Sequence, residues 1–273
     1  MQEHFDLIRE YQAISALIGL IILMLIEQLH PFFDYHKKSL RKKGAHVLRN
    51  LVIGAINAVL LTTLFAGLWV LASVWADENS FGLLHLLDLP IWARITIAII
   101  LLDFWMYVWH WMNHKIPFFW RFHLVHHSDS KMDVTTASRF HVGEIIFSSL
   151  LRIPVILLLG VYAWELVLYE LLMFAVVQFH HADIRLPRSA DRLLRLIIVT
   201  PDMHKIHHSR WQPETDSNYG SMFSFWDRIV KTFTMREDIE NLNLGLDGYD
   251  EPEDETVTGI FKMPLKKTKD QDR

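Results

Sequence analysis

The chain has 273 residues, 51% of them hydrophobic, with ten tryptophans, a net charge of −4 and no cysteine. Without cysteine there are no disulfides, no thiolate-held iron–sulfur cluster and no haem attached through C-x-x-C-H. The slight negative charge, with no basic stripe carrying interleaved aromatics, speaks against nucleic-acid binding, and the length allows one domain or two.

The first apolar run is Ala13 to Leu29, close to the roughly 20 residues that a membrane crossing takes. It is bounded by Glu27, His30 and Pro31. With no positive leader before it and no small-residue cleavage site after it, the run reads as an anchor and not as a cleaved signal. A basic cluster follows, made of Lys37, Lys38, Arg41, Lys42, Lys43 and Arg49. Further apolar runs cover Leu51 to Val74 and Ile91 to Trp109, the latter with Arg94 near its start. Between them Trp75 to Pro90 carries Asp77, Glu78 and Asp88 but no Lys or Arg. Because basic residues stay on the cytoplasmic side, the 37–49 loop is expected inside, with the N-terminus and the 75–90 loop outside. His110 then emerges at the cytoplasmic face, although Arg9 runs against the pattern. Trp105, Tyr107, Trp109, Trp111 and Trp120 are expected to form an interfacial aromatic belt.

Two readings stay open for the apolar stretch 144–179. As one span it would put His180 and His181 on the far side from His110. As a hairpin turning near Gly160 to Trp164 it brings them back to the same side. Pro154 and Gly160 are plausible break points, and a single metal site requires the hairpin, which is the preferred reading. Glu165 and Glu170 then lie near the outer turn or pack against Arg152. In residues 182–203, Arg185, Arg188, Arg192 and Arg195 recur among leucines and isoleucines, as in a basic amphipathic segment on a membrane surface. Pro201 suits the first turn of a helix. From about Arg236 the chain turns polar, with an acidic run from Asp247 to Glu255 and lysines 262, 266, 267 and 269 at the end.

The expected fold is all-α: an integral membrane helical protein with transmembrane helices and a histidine-rich helical cap on the cytoplasmic side. One membrane-embedded domain covers residues 1–235, and a polar, partly disordered cytoplasmic tail covers 236–273.

Eleven of the sixteen histidines fall between His110 and His208. All but His141 fall in H-W-M-N-H (His110, His114), H-L-V-H-H (His123, His126, His127), the pair His180–His181, and H-K-I-H-H (His204, His207, His208). Residues three and four apart share a helix face, so each cluster aims two or three imidazoles at one point. Imidazole suits zinc, copper, iron and nickel, and the three helix-spaced clusters exceed what one four-coordinate zinc needs. They suit two metals close together. A metal transporter would place its ligands deep within the spans, whereas these clusters fall at the ends of the apolar runs. A zinc-dependent lipid hydrolase would want a general-base carboxylate and fewer ligands.

Around the clusters the chain reads W-R-F-H-L-V-H-H-S, S-R-F-H-V-G-E, F-H-H-A-D-I-R-L-P, T-P-D-M-H-K-I-H-H-S and N-Y-G-S-M-F-S-F-W-D-R. These landmarks, in this order over roughly residues 95–235, resemble the fatty acid hydroxylase / sterol desaturase superfamily. Two positions depart from its pattern: Asp183, where the family often has Asn, and I-V-K-T-F after the last motif. The resemblance implies a membrane oxidoreductase with a di-iron centre (zinc being a possible substitute), acting with O2 on a lipid such as a fatty acyl chain, sterol or carotenoid. It also implies electrons from a separate cytochrome, ferredoxin or reductase. It makes His110, His114, His123, His126, His127, His181, His204, His207 and His208 the metal ligands. His141 and His180 are candidates for a metal contact or a substrate gate, with His180 the less suited because it cannot share His181's helix face. Asp103, a charge within an apolar span, lies seven residues before His110 and is a candidate to orient a ligand ring, or else a structural hydrogen-bonding group. Asp129, Glu144, Asp183 and Asp202 flank the clusters as weaker candidates. His4, His30, His36, His46 and His85 read as loop or interface residues.

Overall fold

Each apolar run forms a helix, and most helices outrun the apolar segment that marks them. In the computed structural model, which describes residues 2–33 and 39–266 with side chains from Ile14 onward, α1 covers Gln2–Leu29 and α2 covers Leu40–Leu60. A π turn at Leu61–Phe65 leads into α3, Ala66–Glu78; α4 is Ile91–Lys115, α5 Pro117–His127, α6 Val142–Leu159 and α7 Ala163–His181. Five short helices follow: α8 (Arg188–Leu194), α9 (Pro201–His207), α10 (Gln212–Thr215), α11 (Phe225–Val230) and α12 (Val257–Lys262). Among the described residues there is no strand, only isolated bridges such as Pro31 with Ile184. Among the described residues, four helical stretches are long and apolar enough to cross a membrane: the one from Leu40 to His85, α4, α6 and α7. Lys37, Lys38, His36 and the lysines beyond Lys266 lie outside the described residues.

The α2–α3 rod runs unbroken from Leu40 to Glu78, roughly 58 Å at 1.5 Å per residue, against about 30 Å of hydrocarbon. The rod is therefore longer than a crossing needs, and its first turn carries Arg41, Lys42 and Lys43. Ser39 caps its start by accepting from Lys42 N. The π turn coincides with Thr62 and Thr63, whose hydroxyls donate back to the Ala58 and Val59 carbonyls; such back-bonding disturbs helices locally.

Residues 144–179 form the hairpin. Pro154 is accommodated inside α6 and does not break it; the stop is Gly160, at φ +68°. A Cβ there would sit 2.5 Å from the Phe81 carbonyl oxygen, so only glycine fits both the left-handed backbone and the close approach. Arg94 locks this far end of the bundle. It donates to the carbonyls of Leu84 and Gly160, each at 2.8 Å, and to Glu165 at 3.0 Å, and lies 3.7 Å over the Tyr162 ring. Glu165 thus sits at the outer turn, while Glu170 pairs with Arg152.

Two expectations change. In the aromatic belt, Trp120, Tyr107 and Trp109 are buried, and only Trp111 of the named residues that emerge from α4 and α5 is well exposed. They pack inward because they lie on the faces that carry the histidines: Trp120 contacts the His114 and His127 rings. The segment from Arg236 read as a polar tail, yet through Lys266 it is folded back. Leu246, Tyr249, Ile260 and Met263 are buried with Ile53, Trp120, Leu124 and Val125, and Ile239, Leu242 and Leu244 with Met132 and Ile206. Its sparse apolar residues cover the outer side of α5 and α9; most of the acidic residues around them face solvent, while Asp254 is buried and accepts from Lys266. In residues 182–203, α8 is only a short helix, and Leu193, Leu196 and Ile197 are exposed near it.

Candidate metal centre

The ends of α4, α5, α7 and α9 converge and bring nine histidines together. His110, His114, His123, His127 and His207 form one group, and His126, His181, His204 and His208 a second; in each, one nitrogen per ring lies within 4.8 Å of all the others. These are the nine positions that the family resemblance makes ligands. The groups meet where the His127 ring lies along that of His208, with centroids 4.4 Å apart.

In the second group the Nε2 atoms of His126 and His181 are 3.0 Å apart, those of His181 and His204 3.0 Å, and those of His204 and His208 3.1 Å. Nitrogens at about 2.1 Å from one cation and at right angles to each other would be about 3.0 Å apart, from ordinary metal–imidazole bond lengths. In the first group the Nε2 atoms of His123 and His127 are 3.2 Å apart, and the buried Nε2 atoms of His110 and His207 have no hydrogen-bond partner. An all-imidazole donor set with unsatisfied, converging nitrogens fits a pair of transition-metal ions.

The outer nitrogens show which atom each ring turns inward. A carbonyl or carboxylate oxygen accepts, so the facing nitrogen must carry the proton. Nδ1 of His110 donates to the Tyr219 carbonyl at 2.9 Å, that of His207 to the Ser217 carbonyl at 2.6 Å, and that of His181 to the Val177 carbonyl at 2.8 Å. His123 Nδ1 donates to Glu144 at 2.9 Å, and His114 Nδ1 lies 3.4 Å from Asp216. Each of the four hydrogen bonds, to Tyr219, Ser217, Val177 and Glu144, fixes the tautomer and leaves Nε2 with its lone pair toward the group. Burial pulls the cap histidines His126, His127, His204 and His208 well below the ordinary imidazole value, and His207 down to about 3. They are therefore neutral and able to ligate at physiological pH.

The motif around Trp226 builds the loop that supplies two of these carbonyls. Asn218, at φ +53°, donates to the Met203 and Thr234 carbonyls; Asp227 accepts from Tyr219 N at 2.7 Å and Gly220 N at 2.9 Å. Asp103 belongs here too. It touches no histidine: its carboxylate accepts from Met222 N, Phe223 N, Trp226 Nε1 and Tyr169 Oη, at 2.9–3.2 Å. The expectation that Asp103 orients a ligand ring is thus corrected to its structural alternative. Two helical turns separate it from His110, and the 222–226 backbone reaches it first.

His141 and His180 lie outside both groups. His141 caps α6, with Nδ1 accepting from Gly143 N and Nε2 near the Phe261 carbonyl. His180 is buried and stacks on His204, with centroids 4.0 Å apart. Glu144 is the flanking carboxylate that matters most: it also accepts from Asn113 Nδ2 at 3.3 Å. Asp129, by contrast, anchors the end of α5 from behind. It lies 3.5 Å from His46, accepts from Asn50 and Thr136, and is held well below the usual carboxylate range by His46 and Arg139, against the cost of burial. His46 is therefore a buried partner in this anchor and not a loop residue. Asp183 accepts from Phe33 N and Asp202 sits in the first turn of α9, neither against a histidine group. Thr200 caps α9 and Pro201 occupies its first turn, as the sequence suggests.

A cavity of about 320 Å³ opens from the histidines into the bundle. Its walls are largely apolar and come from α2, α3, α4, α6 and α7, with Trp69, Met106, Ile145, Met173 and Phe174 among them. His110, His123, His126, His181 and His204 close one end.

The fatty acid hydroxylase family model matches residues 95–232, about half of the chain, and spans both histidine groups. The chain belongs to the fatty acid hydroxylase family. It is 29% identical over 167 residues to the ornithine lipid hydroxylase OlsE of Rhizobium tropici, covering 58% of this chain and 47% of that protein. It is 27% identical over 235 residues to the alkylglycerol monooxygenase of Danio rerio (83% and 48%). With human cholesterol 25-hydroxylase it shares 26% over 141 residues (51% and 50%). The chain thus spans about half the length of these curated relatives. No solved structure matches it. With its family and four membrane-length helices, this is an integral membrane protein.

Proposed function

We propose that this chain is an O2-dependent lipid hydroxylase, or a desaturase of the same type, with two irons held by the nine grouped histidines. The observation that carries this reading is the juxtaposition of two all-histidine groups with an apolar cavity that leads from them into the membrane-spanning bundle. Lipid hydroxylases and monooxygenases among the relatives support it. An unactivated C–H bond needs an oxidant that side chains cannot provide, and a bound iron pair would supply it from O2 and delivered electrons.

The chain's own residues do the rest. Glu144 and the carbonyls of Tyr219, Ser217 and Val177 hold the rings of His123, His110, His207 and His181 in one tautomer and orientation. The cavity wall aligns an aliphatic chain against the histidine end and excludes water from it. The basic N-terminal half of α2 faces the same side as the cap, which supports a cytoplasmic site by the positive-inside rule. There a separate cytochrome, ferredoxin or reductase reaches the cap while the lipid enters from the bilayer.

The test is isotopic. Membranes containing the protein, incubated under labelled O2 with a reductant, should yield a lipid carrying the label, and a H204A/H207A double variant should not. A desaturase would instead leave a new double bond in the lipid and send the label to water. Oxygen entering lipid only from water, with no O2 consumed and no double bond formed, would replace the oxygenase by a hydrolase.

A further inference from the structure

At the end of the cavity away from the histidines sits an ion pair that the assembly of the metal centre does not need. Arg152 on α6 donates through Nη1 to Glu170 on α7, and through Nη2 to the Met106 sulfur at 2.8 Å. Its guanidinium lies 4.7 Å from the Trp69 ring. Both residues line the cavity; the Arg152 side chain is 5% exposed and that of Glu170 19%. Glu144, which touches His123, lies eight residues before Arg152 on α6, and His181 lies eleven after Glu170 on α7. At 1.5 Å per residue the pair is therefore roughly 12–16 Å from the metal groups.

Charges inside a span are expensive and commonly mark a substrate path. An alkyl terminus packed against this pair would gain nothing and would keep its unused valences dry. The guanidinium has five N–H donors in a fixed fork; Glu170 takes one and a thioether, a weak acceptor, another. We infer that Arg152 and Glu170 form a recognition site for a neutral hydrogen-bonding group, a hydroxyl or carbonyl, at the end of the lipid remote from the carbon that reacts. A hydroxyl accepts from Arg152 and donates to Glu170. A neutral group is favoured because the pair is already charge-balanced: a carboxylate would compete with Glu170, an ammonium with Arg152. The lipid then lies with its polar end deep in the bundle and its aliphatic end at the histidines. The span corresponds to roughly ten to thirteen bonds of an extended chain, since each carbon–carbon bond of about 1.5 Å advances about 1.25 Å along the tetrahedral zigzag.

This rests on the lipid-oxygenase reading, but its test needs no turnover. Phosphatidylcholine nanodiscs carrying the iron-loaded protein are titrated with tritiated dodecan-1-ol and tritiated dodecane, corrected for uptake by protein-free discs. The wild type should prefer the alcohol by about tenfold, as expected for a hydrogen bond to a charged group. The R152M/E170L double variant, which leaves no lone charge, should bind the two ligands within about twofold while keeping its iron and helicity. Should that variant fail to fold, R152K keeps the charge but removes the fork, and the preference should fall several-fold. No preference in the wild type, or an undiminished one in the folded variant, overturns the inference. Failure of the oxygenase reading would show separately, as a lipid that gains neither label from O2 nor a double bond.

Discussion

Glu144 gives the sharpest handle on the metal centre. Its carboxylate accepts from His123 Nδ1 at 2.9 Å and from Asn113 Nδ2 at 3.3 Å, and is buried. Replacing it with alanine removes the acceptor that fixes the tautomer of His123 and leaves that ring free to turn. Loss of such a partner typically lowers metal affinity 10–100-fold, about 1.4–2.7 kcal/mol. The effect should be one-sided, because Glu144 serves the group of five and no member of the group of four. The assay is metal per chain during timed exposure to a chelator. E144A should shed one ion of two ahead of the other, with E144Q intermediate because its amide oxygen still accepts. E144A that holds both ions as long as the wild type would refute the assigned role.

Other consequences can be checked alongside. R94M should destabilise strongly, by about 3–5 kcal/mol, since it strands Glu165 in a buried site; R94M/E165L should recover much of the loss in a thermal-unfolding measurement. D103A should lower activity and metal content together by releasing the 222–226 backbone, even though Asp103 touches no histidine; unchanged metal loading would contradict this. The pH dependence follows from the depressed cap histidines. Below about pH 6.5 the unfolded chain takes up protons that the folded, metal-free chain refuses until near pH 3 at His207. Stability of the chelator-stripped protein should therefore fall as pH drops below about 6.5. A denaturant midpoint that stays level from pH 7 to 5.5 would contradict it.

The helices and eight of the nine grouped histidines were legible because both rest on periodicity: apolar runs of membrane length, and imidazoles three or four apart; His181 came from the family resemblance. The return of His181 to the site followed from needing a hairpin, with Gly160 as its stop. Pro154 misled, since a helix packed in a bundle tolerates a missing N–H that an isolated one would not. The groups orienting the rings were largely illegible. The acceptors for His110, His181 and His207 are backbone carbonyls, which carry no side-chain signature. His46 and Asp129 are 83 residues apart in sequence and meet only through the fold. Asp103 looked like a ligand-orienting group because spacing along one helix says nothing of the loop that docks on it. The segment after Arg236 has too few apolar residues for a pattern, yet those few cover the cap.

The central claim is that the two histidine groups hold two redox-active irons. Its most direct test is elemental analysis with Mössbauer spectroscopy on detergent-purified protein from iron-replete cells. The account expects two irons per chain, antiferromagnetically coupled when oxidised and reactive with O2 when reduced. Tightly bound zinc that iron cannot replace, without redox activity, would contradict it.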